Sequence, residues 1–401
     1  MRTPRRLAST ILTLSLALAL LATAALAQAP KNVILLIGDG MGVEQVKAAA
    51  LYATGRPEGL AFEAYRVGRA TTDSLTSRGK PKLATDSAAA GTALATGAKT
   101  NNGVISQAPD GRDLPTVLEV LARTGKLTGL VTTVPMTHAT PASFGAHTAK
   151  RTQYAEIATA YFTGSRPNVL FGAVVAGGKG VTEPGARDAG YTVVRTRDEL
   201  QAFTQAAAKS AAGPADLHVS GQFAPDMLPW EYTGPLPPDP EKKRKYPDHA
   251  DVTYETAPHL SEMTRAALRL LERGPSGFFL MIEGGAIDWA CHDNCIERCV
   301  GETLEFDRAF QAVMDWAKGR TDTLVIVTAD HETGGLKVVA GRGKGAMPEV
   351  AWSSGGHTPA AVPVYAWGPG ADRLKGAIDN TALFGVMTGR ATPAAAEAAA
   401  Q

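Results

Sequence analysis

Five short stretches of the chain are apolar at nearly every position: NVILLIG at 32–38, LTGLVTTV at 127–134, FFLMIEG at 278–284, TLVIVTAD at 323–330 and VPVYAWG at 362–368. A strand with one wet face alternates apolar and polar residues, whereas a strand covered on both faces is apolar throughout. These runs therefore predict buried strands. Stretches of helical period, such as Leu114 to Arg123 and Glu302 to Lys318, lie between them. The alternation predicts an α/β fold: a three-layer α/β/α sandwich on a large, mostly parallel central sheet.

The N-terminal pattern is different. Arg2, Arg5 and Arg6 precede an apolar run from Ile11 to Leu21, and Ala25-Leu26-Ala27 follows as a small-residue cleavage motif. This predicts a signal peptide over 1–27, export to the periplasm or the extracellular space, and a mature form without a membrane span. Arg5-Arg6 fits a twin-arginine signal poorly, so the export route stays open. Residues 28–401 suit a single large α/β domain with insertions. A Pro-rich and then basic insert near 225–251, including GPLPPDPEKKRKYPDHAD, predicts an exposed loop.

Charge narrows the partners. Lys and Arg number 40 against 39 Asp and Glu, which leaves no strong field for nucleic acid or an anionic membrane. The cysteines Cys291, Cys295 and Cys299 all lie in IDWACHDNCIERC, too few for a disulfide framework. Export permits a local Cys295–Cys299 disulfide, with Cys291 a buried thiol.

In open parallel sheets, ligands bind beyond the carboxyl ends of the strands. The polar residues just after the apolar runs are Asp39 in GDGMG; His138, Thr140 and Arg151 in PMTHATPASFGAHTAKR; Glu283, Asp288 and His292 in EGGAIDWACH; and Asp330 and His331 in ADHETGG. Any one of them is ordinary as a helix cap. Together in one cleft they would repel one another unless cations neutralised them. Carboxylate and imidazole donors suit zinc, and an all-oxygen subset suits magnesium. Thr85-Asp86-Ser87 precedes an Ala-rich run expected to be helical up to Gly97, which puts Ser87 at a helix N-terminus suited to an anion.

The motifs VILLIGDGMG, TDSAAAGTALATGAKT, HATPASFGAHTAKR, IEGGAIDWACH, TADHETGG and GGHTPAAVPVYAWG resemble, in order, those of the metal-dependent alkaline phosphatases. The resemblance implies hydrolysis of phosphate monoesters at alkaline pH through a phosphoserine on Ser87, at a site of two zinc ions and one magnesium ion. One zinc would be held by Asp288, His292 and His357, and the second by Asp39, Asp330 and His331. Asp39, Thr140 and Glu283 would hold magnesium, and Arg151 would grip the phosphate through a bidentate fork. Small-molecule phosphate monoesters are the implied partners.

Two positions depart from the family pattern. His138, beside the implied magnesium site, stands where other members carry Asp, and Trp289 stands where others carry Lys or His. The first change removes a negative charge and would weaken magnesium retention. The family habit implies a homodimer, while the short insert Leu336 to Ser354 offers little dimer surface and leaves a monomer open. Two other readings stand beside the first: a phosphodiesterase or sulfatase of the same superfamily, and a non-catalytic binder of phosphate or zinc.

Overall fold

The computed structural model describes residues 30–76, 78–210, 213, 216–238, 244–246 and 252–390. The signal-peptide reading of 1–27 lies outside them. Ten strands form one sheet: β1 (Asn32–Gly38), β2 (Arg66–Thr71), β3 (Leu127–Pro135), β4 (Val169–Val174), β5 (Thr192–Val194), β6 (Val219–Pro225), β7 (Phe278–Gly284), β8 (Thr323–Thr328), β9 (Val362–Trp367) and β10 (Gly376–Asp379). Their spatial order is β10-β2-β9-β8-β1-β7-β3-β4-β6-β5. The five apolar runs supply β1, β3, β7, β8 and β9, and every residue of β1, β3, β7 and β8 is buried. Among the described residues of this sheet only β9 runs against its neighbours, antiparallel to both β8 and β2.

Helices cover both faces. One layer contains α1 (Val43–Thr54), α5 (Leu260–Leu271) and α7 (Ile296–Ala317); the other contains α2 (Ser87–Thr96), α3 (Val117–Ala122), α4 (Ala139–Gly145) and α8 (Ala382–Thr388). A short helix, α6 (Ala286–His292), follows β7. The helix expected from Leu114 begins at Val117. Thr116 is its cap, accepting from the Glu119 N–H at 3.2 Å, while Glu119 accepts from the Thr116 N–H at 3.0 Å. This reciprocal pair satisfies two backbone donors that the first helical turn leaves open.

Register and order bring the polar strand ends together. β8, β1, β7 and β3 are consecutive in the middle of the sheet, all parallel, with Ile37 opposite both Thr328 and Glu283 and Thr132 opposite Glu283. Adjacent strands lie about 4.8 Å apart. Residues leaving these four carboxyl ends thus enter one cleft.

The 225–251 segment is only partly the exposed loop expected. Met227, Leu228 and Trp230 are buried, and the Leu228 N–H donates to the Thr133 carbonyl at 2.8 Å. The Arg298 guanidinium lies 4.4 Å from the Trp230 ring centroid. Apolar side chains dispersed among prolines draw the first part of this loop onto the core. The 336–354 segment holds a small hairpin, Leu336–Ala340 with Glu349–Trp352.

Candidate active site

Ser87 opens α2, with Asp86 as its cap: the Asp86 Oδ1 accepts the Ala89 N–H at 3.0 Å. The helix runs to Gly97, as its sequence predicts, where the backbone turns left-handed at φ 73°. Ser87 is buried, and its Oγ lies 3.3 Å from His331 Nε2. His331 Nε2 stands 3.3 Å from Asp330 Oδ2 and 3.6 Å from Asp39 Oδ1. Asp39, Asp330, His331 and Ser87 thus meet in the cleft.

Asp288 and His292 fall four apart on α6, with His292 Nε2 3.3 Å from Asp288 Oδ2. His357 comes from the far end of the chain, its Nε2 3.6 Å from Asp288 Oδ1 and 3.2 Å from His292 Nε2. It also stacks on His331, the ring centroids 3.6 Å apart. A third group joins Asp39 to Glu283 and His138, with one ligand atom from each within 4.8 Å of the others. Thr140, also expected here, is fully buried on α4.

The hydrogen bonds fix which imidazole nitrogen faces the cleft. His292 Nδ1 lies 2.8 Å from the Gly355 carbonyl and His357 Nδ1 lies 2.8 Å from the Thr85 carbonyl. A carbonyl only accepts, so each Nδ1 carries a proton, and in the neutral imidazole of alkaline pH each Nε2 keeps its lone pair. The Thr333 hydroxyl donates to Asp288 Oδ1 at 2.5 Å, so its oxygen accepts from His331 Nδ1 at 3.3 Å. Three Nε2 lone pairs therefore converge on the carboxylates. Two of them face each other at 3.2 Å with no proton between, an arrangement a cation relieves.

The oxygens repeat this. Both Asp39 oxygens, Asp330 Oδ2, Glu283 Oε1 and the Thr140 hydroxyl are buried without a hydrogen-bond partner. A buried polar atom without a partner costs about 1–3 kcal/mol, more when charged. This concentration of orphaned donor atoms fits metal ions. Burial, reinforced by the charges of Asp330, Asp288 and Glu283, holds the Asp39 carboxyl well above the usual carboxylate range. Burial likewise pushes Glu283 up to about 8, and burial with the nearby Asp288 charge pushes Asp330 up to about 6. Burial raises the Asp288 pKa too, but the close contact with His292 and the neighbouring imidazoles outweigh it and hold this carboxyl below the usual carboxylate range.

Arg151 is held from two sides. Its Nη1 donates to Asp86 Oδ2 at 3.0 Å and its Nη2 lies 2.9 Å from His138 Nε2. A guanidinium only donates, so His138 Nε2 accepts and its proton sits on Nδ1, the same tautomer as the other three histidines, but with the Nε2 lone pair turned to Arg151 instead of the carboxylates. In that tautomer His138 offers the third group no lone pair, which suits a supporting role beside the metal site. Burial, followed by the Arg151 charge, pushes its pKa down to about 3.

Three residues escaped the sequence reading. Asp86, given no role of its own in the sequence reading, caps α2, accepts the Gly103 N–H on both oxygens at 3.0 Å and anchors Arg151. Thr132 donates to Glu283 Oε2 at 2.5 Å, and Thr333 orients Asp288 and His331. Asp86 and Thr333 lie inside motifs already noted, which was the available signal; their long-range partners carried none.

The cysteines correct one expectation. Cys299 Sγ faces Cys291 Sγ at 3.4 Å, whereas Cys295 Sγ lies 3.6 Å from Glu297 Oε2. All three are thiols, and no Cys295–Cys299 bridge forms: Cys295 caps α7 with its Sγ beside Glu297, while Cys299 Sγ packs against Cys291 of α6. Among the described residues one further metal-like group, Glu231, His259 and Glu305, lies outside the cleft, and Arg308 reaches Glu305 Oε2 at 2.5 Å.

A family model described as alkaline phosphatase matches residues 30–170 and 172–347. The chain is 38% identical over 415 residues to the streptomycin-6-phosphate phosphatase of Streptomyces griseus, covering 89% of this chain and 90% of that one. It is 33% identical to the alkaline phosphatase of Escherichia coli strain K12, covering 89% and 85%. Among solved structures, the cold-active alkaline phosphatase of Shewanella sp. superposes with a TM-score of 0.73 at 27% identity, covering 89% of this chain and 99% of that one.

Proposed function

The chain belongs to the alkaline phosphatase family, and from that premise we propose that it hydrolyses small-molecule phosphate monoesters at alkaline pH through a phosphoserine on Ser87. The carrying observation is the convergence of three Nδ1-pinned imidazoles and four buried carboxylates beside that hydroxyl. Two zinc ions would be held by Asp288, His292 and His357 and by Asp39, Asp330 and His331, and magnesium by Asp39, Thr140 and Glu283. When bound, these cations neutralise the carboxylates, acidify the serine hydroxyl and water, and stabilise charge on the departing oxygen.

The chain's own residues do the rest. Arg151, held by Asp86 and His138, presents its fork to two phosphoryl oxygens and fixes the phosphorus in front of Ser87. The Ser87 oxygen attacks phosphorus in line, the P–O bond to the alcohol breaks, and the alcohol departs with a proton. Water then attacks the phosphoserine from the vacated side, releasing inorganic phosphate and restoring the hydroxyl. The free N–H groups at the start of α2 favour the anion throughout.

Export to the periplasm or beyond and a single catalytic domain over 28–401 complete the reading, which rests on the N-terminal sequence pattern and on the continuous sheet.

The test is Ser87→Ala, assayed with zinc and magnesium supplied. Turnover of p-nitrophenyl phosphate should fall by about a thousandfold or more, and no phosphoprotein should be trapped on acid quench. Full activity with a normal phosphoenzyme would overturn the assignment. A clear preference of the wild-type protein for the bis-ester would favour a phosphodiesterase instead.

A further inference from the structure

Beside the phosphate fork lies a cavity of about 260 Å³ whose walls include Pro135, His138, Val175, Met227, Tyr246 and Trp289. Its lining is largely apolar and aromatic, unlike the carboxylate cleft it adjoins. Two wall residues connect it to the site: His138, whose Nε2 accepts from Arg151, and Trp289, the neighbour of Asp288 on α6. The two rings meet edge to face with centroids 6.0 Å apart.

The aromatic wall is braced. Tyr246 stacks on Trp289, with centroids 4.5 Å apart and planes 13° from parallel. Asp293 accepts the Lys245 N–H at 2.8 Å and the Tyr246 N–H at 3.3 Å, and Arg298 donates to the Tyr246 carbonyl at 3.1 Å. Opposite, Asp226 takes a left-handed φ of 58° and accepts the Ala176 N–H at 2.9 Å, in the turn that sends buried Met227 into the cavity wall. Backbone held in such a conformation next to a cleft is where positioning of a ligand is expected.

We infer that this cavity is the subsite for the alcohol half of the ester and that it selects alcohols carrying a six-membered ring. The inference rests on the phosphomonoesterase reading and deepens it. A phosphoryl group gripped by Arg151 sits one side chain from the cavity, so the organic half of the ester has an apolar place to go next to its anionic half. A cavity of about 150 Å³ already holds benzene, so this one accommodates a ring and its linking carbon. Aromatic walls favour flat ring faces over the short polar alcohols that water solvates equally well.

The test compares benzyl phosphate with ethyl phosphate, whose alcohols are similar in basicity, so the chemical step does not separate them. Wild-type kcat/KM should favour the benzyl ester by about tenfold or more, in line with burial of an apolar ring. The ratio should fall toward one in Trp289→Ala, which removes the wall, and in Val175→Trp, which fills the space from the other side and leaves the aromatic stack intact. A ratio cancels any uniform damage from either substitution. Benzylphosphonate should also quench tryptophan fluorescence at lower concentration than ethylphosphonate, and this difference should vanish in Trp289→Phe. Equal use of both esters by the wild-type protein, or an unchanged ratio in both variants, overturns the subsite and leaves the phosphatase standing. Hydrolysis of neither ester overturns the phosphatase reading itself.

Discussion

Asp86 and Arg151, 65 residues apart in sequence, meet with Nη1 donating to Oδ2 at 3.0 Å. The same carboxylate caps the helix that begins with Ser87, so one side chain fixes both the proposed nucleophile and the phosphate fork. Burial opposes its charge, but the Arg151 charge and the backbone donors outweigh that and hold its pKa below the usual value. It is an anion at every pH at which the site would work.

Asp86→Ala should therefore weaken phosphate binding more than it weakens the fold. Loss of a charge-assisted hydrogen bond is worth about 1.5–3 kcal/mol, so the inhibition constant for inorganic phosphate should rise about ten- to hundredfold. Loss of the cap should cost about 1 kcal/mol, measurable as a modest drop in Tm.

His138→Asp should raise magnesium retention. The substitution returns a carboxylate to the group formed with Asp39 and Glu283 and removes an imidazole whose lone pair is committed to Arg151. Metal analysis after dialysis should find more magnesium per chain in the variant than in the wild type; equal contents would refute the assignment.

Gly40→Ala should weaken metal binding without removing a ligand. Gly40 has φ 70°, and an added Cβ would stand 2.8 Å from Thr333 Oγ1 and 2.9 Å from Asp288 Oδ1. That is the hydroxyl–carboxylate pair that orients His331. Disturbing such partners typically weakens metal affinity about ten- to hundredfold, which zinc competition with a chelator would report.

His147→Gln should destabilise the protein more in mild acid than in base. His147 Nε2 lies 3.0 Å from Glu119 Oε1 and Nδ1 lies 2.9 Å from the Ser106 carbonyl. Burial disfavours its charge, but these bonds, with the charges of Glu119 and Asp113, raise its pKa above 6.5. Its stabilisation is complete below 6.5 and is lost as pH rises through the higher folded value. For Glu119 burial raises the pKa, and the bonds to His147 and Thr116 lower it below 4.5, so its share is present above 4.5 and is lost as pH falls through the folded value. The Tm gap between wild type and variant should thus be wider near about pH 5.5 than near about pH 9.

The sequence by itself determined everything that depends on neighbours along the chain. Continuous apolar runs forced β1, β3, β7 and β8 into a covered sheet, the four-residue spacing put Asp288 and His292 on one side of α6, and Asp86-Ser87 with Gly97 bounded α2. The strands with short or interrupted patterns, β2, β5 and β10 among them, left no such mark, because partly exposed strands at or next to the sheet's margins tolerate polar residues. Only the tertiary structure decided that β8, β1, β7 and β3 are adjacent, and hence that their carboxyl ends share one cleft. It alone decided the histidine tautomers, set by carbonyls and a hydroxyl whose positions depend on loop packing, and it paired Cys299 with Cys291 across two helices. Period and spacing describe one element at a time, whereas a site of this kind is made of contacts between elements, and those follow from strand order and register.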